Sequence, residues 1–394
     1  MSSRPIYLDN HATTRVDPRV LEAMLPWFTE RFGNAASVNH PYGWEAAEAA
    51  EVAREQIARL VNASAKSLVF TSGATEANNL AIKGALRTSP PGSHVIANAA
   101  EHRAVLDPVR RLERQGYQVT IVPCDRFGQV DPQRIADALR SNTVLVSVML
   151  ANNEVGTINP VAEIGGLCRE RGVLLHCDAA QAIGKLAVDV HELGVDLLSV
   201  SAHKSYGPKG VGVLYVRHEG RPRVKLEPQI DGGGHEGHLR SGTLAVPLVV
   251  GFGVACELAG KLLSTEPVET TRLRDELWGG LSRRLEGITL NGHPASRLPG
   301  NLNVSVAGVD GEALMMGLKT IAVSSGAACS SADPVPSHVL LAMGVSEPLA
   351  KASLRFGIGR FNTAEDVAVA VDEVVEIVMK LRTASGAKSS YSAR

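Results

Sequence analysis

Short apolar segments, each followed at once by a polar cluster, recur through the first half of the chain. They cover residues 67–70, 94–97, 144–150, 173–177 and 197–200. Each segment is about as long as a strand and lacks the alternation of a half-buried strand, which is typical of parallel strands buried on both faces. Stretches with helical spacing, including 132–140 and 161–171, separate several of them. The pattern predicts the repeated strand–helix–strand units of a doubly wound α/β sheet.

The polar clusters fall where these strands would end. In an open parallel sheet, ligands bind outside the carboxyl ends of the strands. One cluster after a strand is an ordinary turn, but a cluster after every apolar segment favours one shared site. The clusters read TSGATEANN, NAAEHRAV, ANNEVGT, DAAQAIG and SAHK.

The size and charge of the chain limit the class of protein. Its 394 residues exceed a single compact core. We expect a large domain at 16–261, a smaller α+β domain made of 1–15 and 262–382, and a polar tail at 383–394. A net charge of −1 gives no electrostatic reason to expect a nucleic acid or an anionic membrane as partner. Because the N-terminus lacks the apolar stretch of a signal peptide and no apolar run has transmembrane length, we expect a cytoplasmic protein.

Besides a long Ala/Glu-rich helix at 44–61, three helices are predicted outside the repeated units. Residues 18–32 have helical spacing with Val20, Met24, Leu25 and Phe28 on one side. Residues 270–285 form a charged amphipathic stretch in the C-terminal third. Thr363 with Asp366 resembles a capping box for a helix that reaches residue 381.

Lys204 follows the last apolar segment, in the stretch DLLSVSAHKSYGPKGVGVLYV. Lysines are usually solvated, so a surface charge is the simplest interpretation. The flanking segments are nevertheless too apolar for an ordinary surface, and Ser201 and His203 lie within three residues of the lysine. Lys204 could instead be an amine that is held for covalent chemistry with a carbonyl group.

The first cluster places residues 72–75, SGAT, where a strand turns into a helix. Backbone amides at a helix N-terminus together with a threonine hydroxyl form an anion site, and Gly73 lets the backbone come close. The same turn is also an ordinary helix cap. Further phosphate donors could come from Ser201, His203 and Thr243. The GPKGVG segment after Lys204 lacks the spacing of a P-loop.

Asp178 lies at the end of one apolar segment, and His102 follows another in the sequence AAEHRAV. The simplest interpretation of Asp178 is a helix cap, and the alternative is a carboxylate paired with a cationic ring nitrogen, because an isolated buried carboxylate is costly. A lone histidine is more often a structural hydrogen bonder, but the imidazole of His102 could stack on a ring. A Schiff-base lysine, an aspartate for a pyridinium nitrogen and a phosphate cup are together the parts of a pyridoxal phosphate site.

The five cysteines differ in their surroundings. Four of them lie in or beside apolar segments, where a thiol behaves as a small hydrophobe: Cys124, Cys168, Cys177 and Cys256. No CxxC pair or histidine cluster is present, so neither a disulfide nor a metal site is expected. Cys329 lies in the small-residue segment SSGAACSSAD, which suits a nucleophile that must enter a site and leave it. Without the first site, Cys329 would be equally well interpreted as a linker cysteine.

Arg355 lies in the segment LRFGIGRF. Its planar guanidinium is a bidentate partner for a substrate carboxylate. A surface ion pair is the alternative.

Together these motifs resemble the cysteine desulfurases of the NifS and IscS type, within the class-V aminotransferase group of fold-type I pyridoxal phosphate enzymes. The resemblance runs from residue 7 to about residue 362. It rests on YLDNHATT, TSGATEANNLAIKG, EHRAVLD, NNEVGT, CDAAQAIGK, SAHKSYGPKGVG, GGGHEGHLRSGT, SSGAACSS and LRFGIGRF. The implied fold is an aspartate-aminotransferase-like large domain with a mainly parallel sheet and a smaller α+β domain.

The resemblance implies a role for each candidate residue. Lys204 would carry pyridoxal phosphate, Asp178 would bind the ring nitrogen, and His102 would stack on the ring and assist proton transfer. Asn153 and Gln181 would bond the ring oxygen. Phosphate would be held by Ala74, Thr75, Ser201, His203 and, from the other subunit of a homodimer, Thr243. Arg355 with Asn153 would bind the substrate, and Cys329 would take the sulfur.

The implied reaction converts L-cysteine to L-alanine and leaves a persulfide on Cys329, for delivery to an acceptor protein in iron–sulfur cluster, thio-cofactor or tRNA biosynthesis. A selenocysteine lyase or another class-V enzyme is the first alternative, and Cys329 argues against it. A non-catalytic sulfur-transfer scaffold is an alternative of another class, which the intact Lys204, Asp178 and His102 disfavour. The resemblance is incomplete at Gly237 and His238, where ERG is common, and in the polar C-terminal tail.

Overall fold

In the computed structural model, which describes residues 4–220, 222–325 and 335–384, a mixed seven-stranded sheet forms the centre of the molecule. Its strands, in chain order, are β2 (Leu68–Thr71), β3 (His94–Asn98), β4 (Gln118–Val122), β5 (Thr143–Ser147), β6 (Leu174–Asp178), β7 (Leu197–Ser201) and β8 (Gly212–Val216). Their spatial order is β2-β8-β7-β6-β5-β3-β4, and only β8 runs antiparallel to its neighbours. The predicted α/β fold with a mainly parallel sheet is confirmed.

All five apolar segments form strands of this sheet. They all run in the same direction, as expected for parallel strands, because β2 is antiparallel to β8 and β8 in turn is antiparallel to β7. Strand β4 was not predicted, because it is a half-exposed edge strand without a continuous apolar run.

Helices cover both faces of the sheet. The helices of the first two-thirds of the chain are α1 (Pro18–Met24), α2 (Pro26–Thr29), α3 (Pro41–Leu60), α4 (Ala74–Arg87), α5 (Arg103–Glu113), α6 (Pro132–Ala138), α7 (Val161–Arg171) and α8 (Val246–Leu262). Neighbouring residues of one strand face opposite cores, as Leu174 and Leu175 do, because side chains alternate along a strand. The absence of apolar–polar alternation in the sequence follows from this burial on both faces.

A second core surrounds a smaller antiparallel sheet of order β12-β10-β9. The remaining elements of the chain are β1 (Ile6–Tyr7), α9 (Glu266–Arg284), β9 (Ile288–Asn291), β10 (Asn301–Val306), α10 (Gly311–Gly317), β11 (Ile321–Ala322), α11 (His338–Ala342), α12 (Glu347–Lys351), β12 (Ser353–Gly357) and α13 (Ala364–Ala384). Strands β1 and β11 form a separate parallel pair. The N-terminal segment joins this part, since Ile6 pairs with Ile321 and Leu8 lies in its core. The domain bounds given above stay a prediction.

The three helix predictions had different outcomes. The capping box of α13 is formed, because the Thr363 hydroxyl accepts from the Asp366 amide at 3.3 Å and the Asp366 carboxylate accepts from the Thr363 amide at 3.1 Å. The predicted stretch 270–285 lies almost entirely within α9. The predicted helix 18–32 is instead two short helices, since Pro26 begins the second. Val20 and Met24 are buried, whereas Leu25 and Phe28 are exposed.

Among the described residues, no single helix is long and apolar enough to span a membrane, and only the pair α8 and α9, bent by 75°, meets that criterion jointly.

Candidate active site

A cavity of about 450 Å³ lies at the carboxyl ends of the parallel strands. Nine residues predicted for the site line it together: Ala74, Thr75, His102, Asn153, Asp178, Gln181, Ser201, His203 and Lys204. Asp178 and Ser201 are the last residues of β6 and β7, and the others come from the segments that follow β2, β3, β5, β6 and β7. Parallel strands end at the same edge, so clusters that are far apart in sequence converge there.

Asp178 is the last residue of β6 and is only 7% exposed. Its carboxylate accepts a hydrogen bond from Nδ2 of Asn78 at 2.7 Å and another from the amide of Ala180 at 2.9 Å. Asn78 lies on the buried face of α4, and its Oδ1 has no partner within the described part of the chain. Asn78 was missed from the sequence, although an asparagine among the buried positions of a helix was a visible signal.

Lys204 ends a short 3₁₀ turn, Ala202–Lys204, directly after β7. Burial lowers the pKa of its ammonium group; the Asp178 carboxylate opposes this shift and the Arg355 guanidinium adds to it. A larger share of the amine is therefore neutral at a given pH than for a solvated lysine. A neutral amine is the nucleophilic and basic form that carbonyl chemistry requires.

Gly73 lies between β2 and α4 with φ at +149°, a conformation that favours glycine. The strand β8 passes close by, because a Cβ on Gly212 would lie 2.7 Å from the Cα of Gly73. The hydroxyl oxygen of Ser201 would lie 3.7 Å from a Cβ on Gly73. The N-terminus of the 14-residue helix α4 therefore opens onto the cavity beside a hydroxyl group. This arrangement suits a phosphate.

The surroundings of His102 and His203 lower the pKa of both imidazole rings and so favour their neutral forms. Nδ1 of His102 accepts from the Ala104 amide at 3.0 Å and caps α5, which leaves Nε2 to carry the proton of the neutral ring. Burial lowers its pKa, partly offset by Asp178. Burial and the nearby charge of Lys204 lower the pKa of His203 to about 4, and its Nδ1 lies 3.1 Å from the Thr13 hydroxyl.

Gln181 has neighbours that the sequence did not predict. Its Nε2 donates to the carbonyl of His11 at 2.8 Å, and its Oε1 lies 3.1 Å from Nδ1 of His11 and accepts from Nζ of Lys185 at 3.2 Å. A carbonyl can only accept, so the His11 contact fixes which way the amide faces. Burial and the charge of Lys204 lower the pKa of Lys185 to about 7.

Arg355 comes from the smaller sheet, on β12, and is 1% exposed. Its Nη1 donates to the backbone carbonyl of Asn153 at 3.2 Å, which places the guanidinium at the border of the cavity. Its Nη2 pairs with Asp9 at 2.8 Å. The surface ion pair considered from the sequence is excluded by this burial, although an ion pair is present.

Two predicted residues lie elsewhere. Thr243 is exposed and is not among the residues that line the cavity. Cys329 lies outside the described residues. The other four cysteines are buried and unpaired, as expected for small hydrophobes.

The departure at Gly237 and His238 lies in a turn where both residues have positive φ. The neighbouring Glu236 carboxylate pairs with Arg54 at 2.8 Å and accepts from the Phe70 amide at 2.7 Å. Arg240, two residues beyond His238, pairs with Glu76 at 3.0 Å in the first turn of α4. The departure from ERG therefore leaves one arginine close to the N-terminus of this helix.

An α/β fold with helices on both faces of the sheet, and with a buried lysine, an aspartate and a helix N-terminus around one cavity, defines a pyridoxal phosphate enzyme of the aminotransferase kind. The family model "Aminotransferase class-V" matches residues 6–369. The chain belongs to this family.

Individual members of the family match this chain over nearly its whole length. A protein named "Cysteine desulfurase IscS" from Anaeromyxobacter dehalogenans (strain 2CP-C) is 57% identical over 382 residues, which cover 97% of this chain and 94% of the relative. "Cysteine desulfurase, mitochondrial" from Arabidopsis thaliana is 51% identical, with 98% and 85% covered. A solved "NifS-like protein" superposes with a TM-score of 0.88 at 38% identity and covers 96% of this chain and 100% of its own. The predicted similarity to the NifS and IscS type is confirmed.

Proposed function

We propose that this protein is a pyridoxal-phosphate-dependent cysteine desulfurase that converts L-cysteine to L-alanine and receives the sulfur on Cys329. The convergence of Lys204, Asp178 and the α4 N-terminus on one cavity carries the proposal. The similarity to proteins named cysteine desulfurase over nearly the whole chain supports it.

The residues around the cavity fit pyridoxal phosphate. Asp178 offers a carboxylate to a protonated ring nitrogen, and its two hydrogen bonds hold it in place. Phosphate would be bound by the α4 N-terminus with Ala74, Thr75, Ser201 and His203, and the ring oxygen by Asn153 and Gln181. When bound, the cofactor takes up the electron pair left on the substrate α-carbon.

The chain's own groups supply the other chemistry. Nζ of Lys204, with its lowered pKa, removes the α-proton. The neutral His102 assists proton transfer through Nε2, since Nδ1 is occupied. Arg355, with Asn153, binds the substrate carboxylate. The Cys329 thiolate attacks the substrate sulfur: a sulfur–sulfur bond forms, and the carbon–sulfur bond breaks and leaves its electron pair on the β-carbon. Protonation of the β-carbon and return of the α-proton release L-alanine, while Cys329 keeps a persulfide.

The active unit is proposed to be a homodimer. Large apolar side chains in and after the N-terminal helices are exposed in the single chain, with Leu25 at 56%, Phe28 at 55% and Phe32 at 65% exposure, and the Phe32 ring lies against that of Tyr42, which is 52% exposed. Monomeric proteins rarely expose such contiguous apolar surface. Burying this surface in a dimer would also allow the exposed Thr243 to reach the partner's phosphate site.

The persulfide sulfur is proposed to pass to an acceptor protein in the cytoplasm, for iron–sulfur cluster or other thio-cofactor or tRNA biosynthesis. The relatives named cysteine desulfurase support the release of sulfur from L-cysteine that this transfer requires. Trapping of the Cys329 persulfide with candidate acceptor proteins would identify the recipient.

The decisive experiment compares Cys329→Ala with Cys256→Ala, since Cys256 is a buried cysteine of α8 that is not among the residues lining the cavity. Alanine and sulfide are measured from L-cysteine with a reductant, and the visible absorbance of the bound cofactor is recorded. Cys329→Ala should stop turnover and keep the yellow colour, whereas Cys256→Ala should keep both. Lys204→Ala should lose the colour, and the exposed Lys380→Ala should not. Full alanine production by Cys329→Ala would refute the proposal.

A further inference from the structure

The guanidinium of Arg355 is buried in a place where an unpaired charge would be costly. It is 1% exposed, on β12. Its fixed contacts are Asp9 through Nη2 and the Asn153 carbonyl through Nη1, and its Nε has no partner among the described groups. A buried cation needs such contacts, and a planar guanidinium can still bind a further carboxylate through its free N–H groups.

The residues on either side of Asp9 form backbone hydrogen bonds to β11 and β12. Asp9 itself forms a parallel bridge to Gly357, and the preceding residue, Leu8, donates to the Ala322 carbonyl at 2.9 Å. The next residue, Asn10, donates to the Gly357 carbonyl at 3.0 Å. The Asp9 side chain is therefore attached to a backbone that cannot shift without breaking these contacts.

The two oxygens of Asp9 have different partners. Oδ1 accepts from Arg355 Nη2 at 2.8 Å, and Oδ2 accepts from the Ser324 hydroxyl at 2.8 Å. Ser324 also forms a backbone bridge with Arg355, whose amide donates to the Ser324 carbonyl at 2.7 Å. The ion pair is thus one side of a closed set of contacts among Asp9, Arg355 and Ser324.

We propose that Asp9 is a positioning residue for substrate recognition: it fixes the Arg355 guanidinium in the orientation that binds the α-carboxylate of an amino acid. The proposal rests on the proposed function, because it takes Arg355 as the carboxylate site. An arginine side chain loses rotamer entropy when it is ordered. The Asp9 contact orders the Arg355 side chain before the substrate arrives, so substrate binding does not include that loss of entropy.

The contacts assign separate tasks to the two Asp9 oxygens. Oδ1 orders the guanidinium, and Oδ2 only joins Asp9 to Ser324. Asp9→Ala removes both contacts, Asp9→Asn keeps an oxygen that can accept from Nη2, and Ser324→Ala removes the second contact alone. Arg355→Lys replaces the fork by a point charge.

The test measures how the cofactor-loaded protein binds L-alanine and ethylamine, which is L-alanine without its carboxylate. Dissociation constants come from the change in cofactor absorbance. Asp9→Ala should weaken L-alanine binding about tenfold and leave ethylamine binding within about twofold, because only L-alanine uses a bidentate carboxylate contact. Asp9→Asn should weaken L-alanine binding by about threefold, and Ser324→Ala by less than about twofold, since both keep an acceptor for Nη2. The KM of Asp9→Ala for L-cysteine should rise more than its kcat falls.

The proposal is wrong if Asp9→Ala and Asp9→Asn weaken both ligands by the same factor or leave L-alanine binding unchanged. It is also wrong if Arg355→Lys does not reduce the preference for L-alanine over ethylamine. Failure of the proposed function gives a different result: the unaltered protein would release no alanine and sulfide from L-cysteine, while the Asp9 variants still lost affinity for L-alanine alone.

Discussion

Nδ2 of Asn78 donates a 2.7 Å hydrogen bond to Oδ2 of Asp178, although the two residues lie 100 positions apart in the sequence. The other carboxylate oxygen is occupied by the amide of Ala180. Asp178 thus has one donor from helix α4 and one from its own loop. Its side chain is held in place before any ligand enters the cavity.

Asn78→Ala should reduce the rate of alanine formation from L-cysteine about tenfold, because a buried carboxylate that loses a donor is destabilised in its charged form. Cofactor affinity should fall in the same variant. Asn79→Ala is the matched control, since Asn79 is the next residue of α4 and its amide bonds only the Thr75 carbonyl. Equal rates for the two variants would show that the Asn78 contact has no part in catalysis.

Gly73→Ala should weaken cofactor binding. At φ of +149° an alanine is strained, at a cost of about 1–3 kcal/mol. The strain falls on the turn that would hold phosphate, so the loss should be larger in cofactor affinity than in the thermal stability of the cofactor-free protein. Gly166→Ala in α7 is the control: no atom lies within 4 Å of its added Cβ, and alanine favours a helix. Titration of the cofactor-free proteins with pyridoxal phosphate distinguishes the two.

Glu154 should make stability depend on pH. It is buried against Ser337, and burial raises its pKa from the ordinary 4.5 to about 7. Because the folded protein then holds this proton more tightly than the unfolded chain, the stabilisation is fully present below pH 4.5 and is lost as the pH rises through about 7.

Glu154→Gln removes this titration. The free energy of unfolding of the unaltered protein should therefore fall relative to that of the variant as the pH rises from 5 to about 8. Urea unfolding at a series of pH values measures the difference. The exposed Glu312→Gln should show a constant offset over the same range. A constant offset for Glu154→Gln as well would contradict the prediction.

The exposed apolar surface at the N-terminal helices gives a prediction about assembly. Leu25→Glu together with Phe28→Glu should shift the protein from dimer to monomer, because two charges would be buried in the interface. The variant should also retain the cofactor less well, if Thr243 acts across the interface. Val268→Glu, on α9 and 68% exposed, is the control. Sedimentation that shows a dimer for the double variant would place the interface elsewhere.

The sequence predicted the strands of the large sheet with good accuracy because burial on both faces produces continuous apolar runs, as in β6 and β7. It could not predict β4, whose half-exposed edge position leaves no such run. It also missed the break at Pro26, which divides a stretch of regular helical spacing and leaves Leu25 and Phe28 exposed.

For the site, the sequence determined the chemistry: Lys204, Asp178, His102 and the turn at Gly73 each follow a strand, and strand ends of a parallel sheet meet at one edge. Only the tertiary structure determined which groups hold them. Asn78 contacts Asp178, and Asp9 contacts Arg355 across 346 positions, through contacts between different elements that leave no local pattern in the sequence. The sequence therefore specified the reacting groups, and the packing of the small sheet and the N-terminal segment against them decided their orientation.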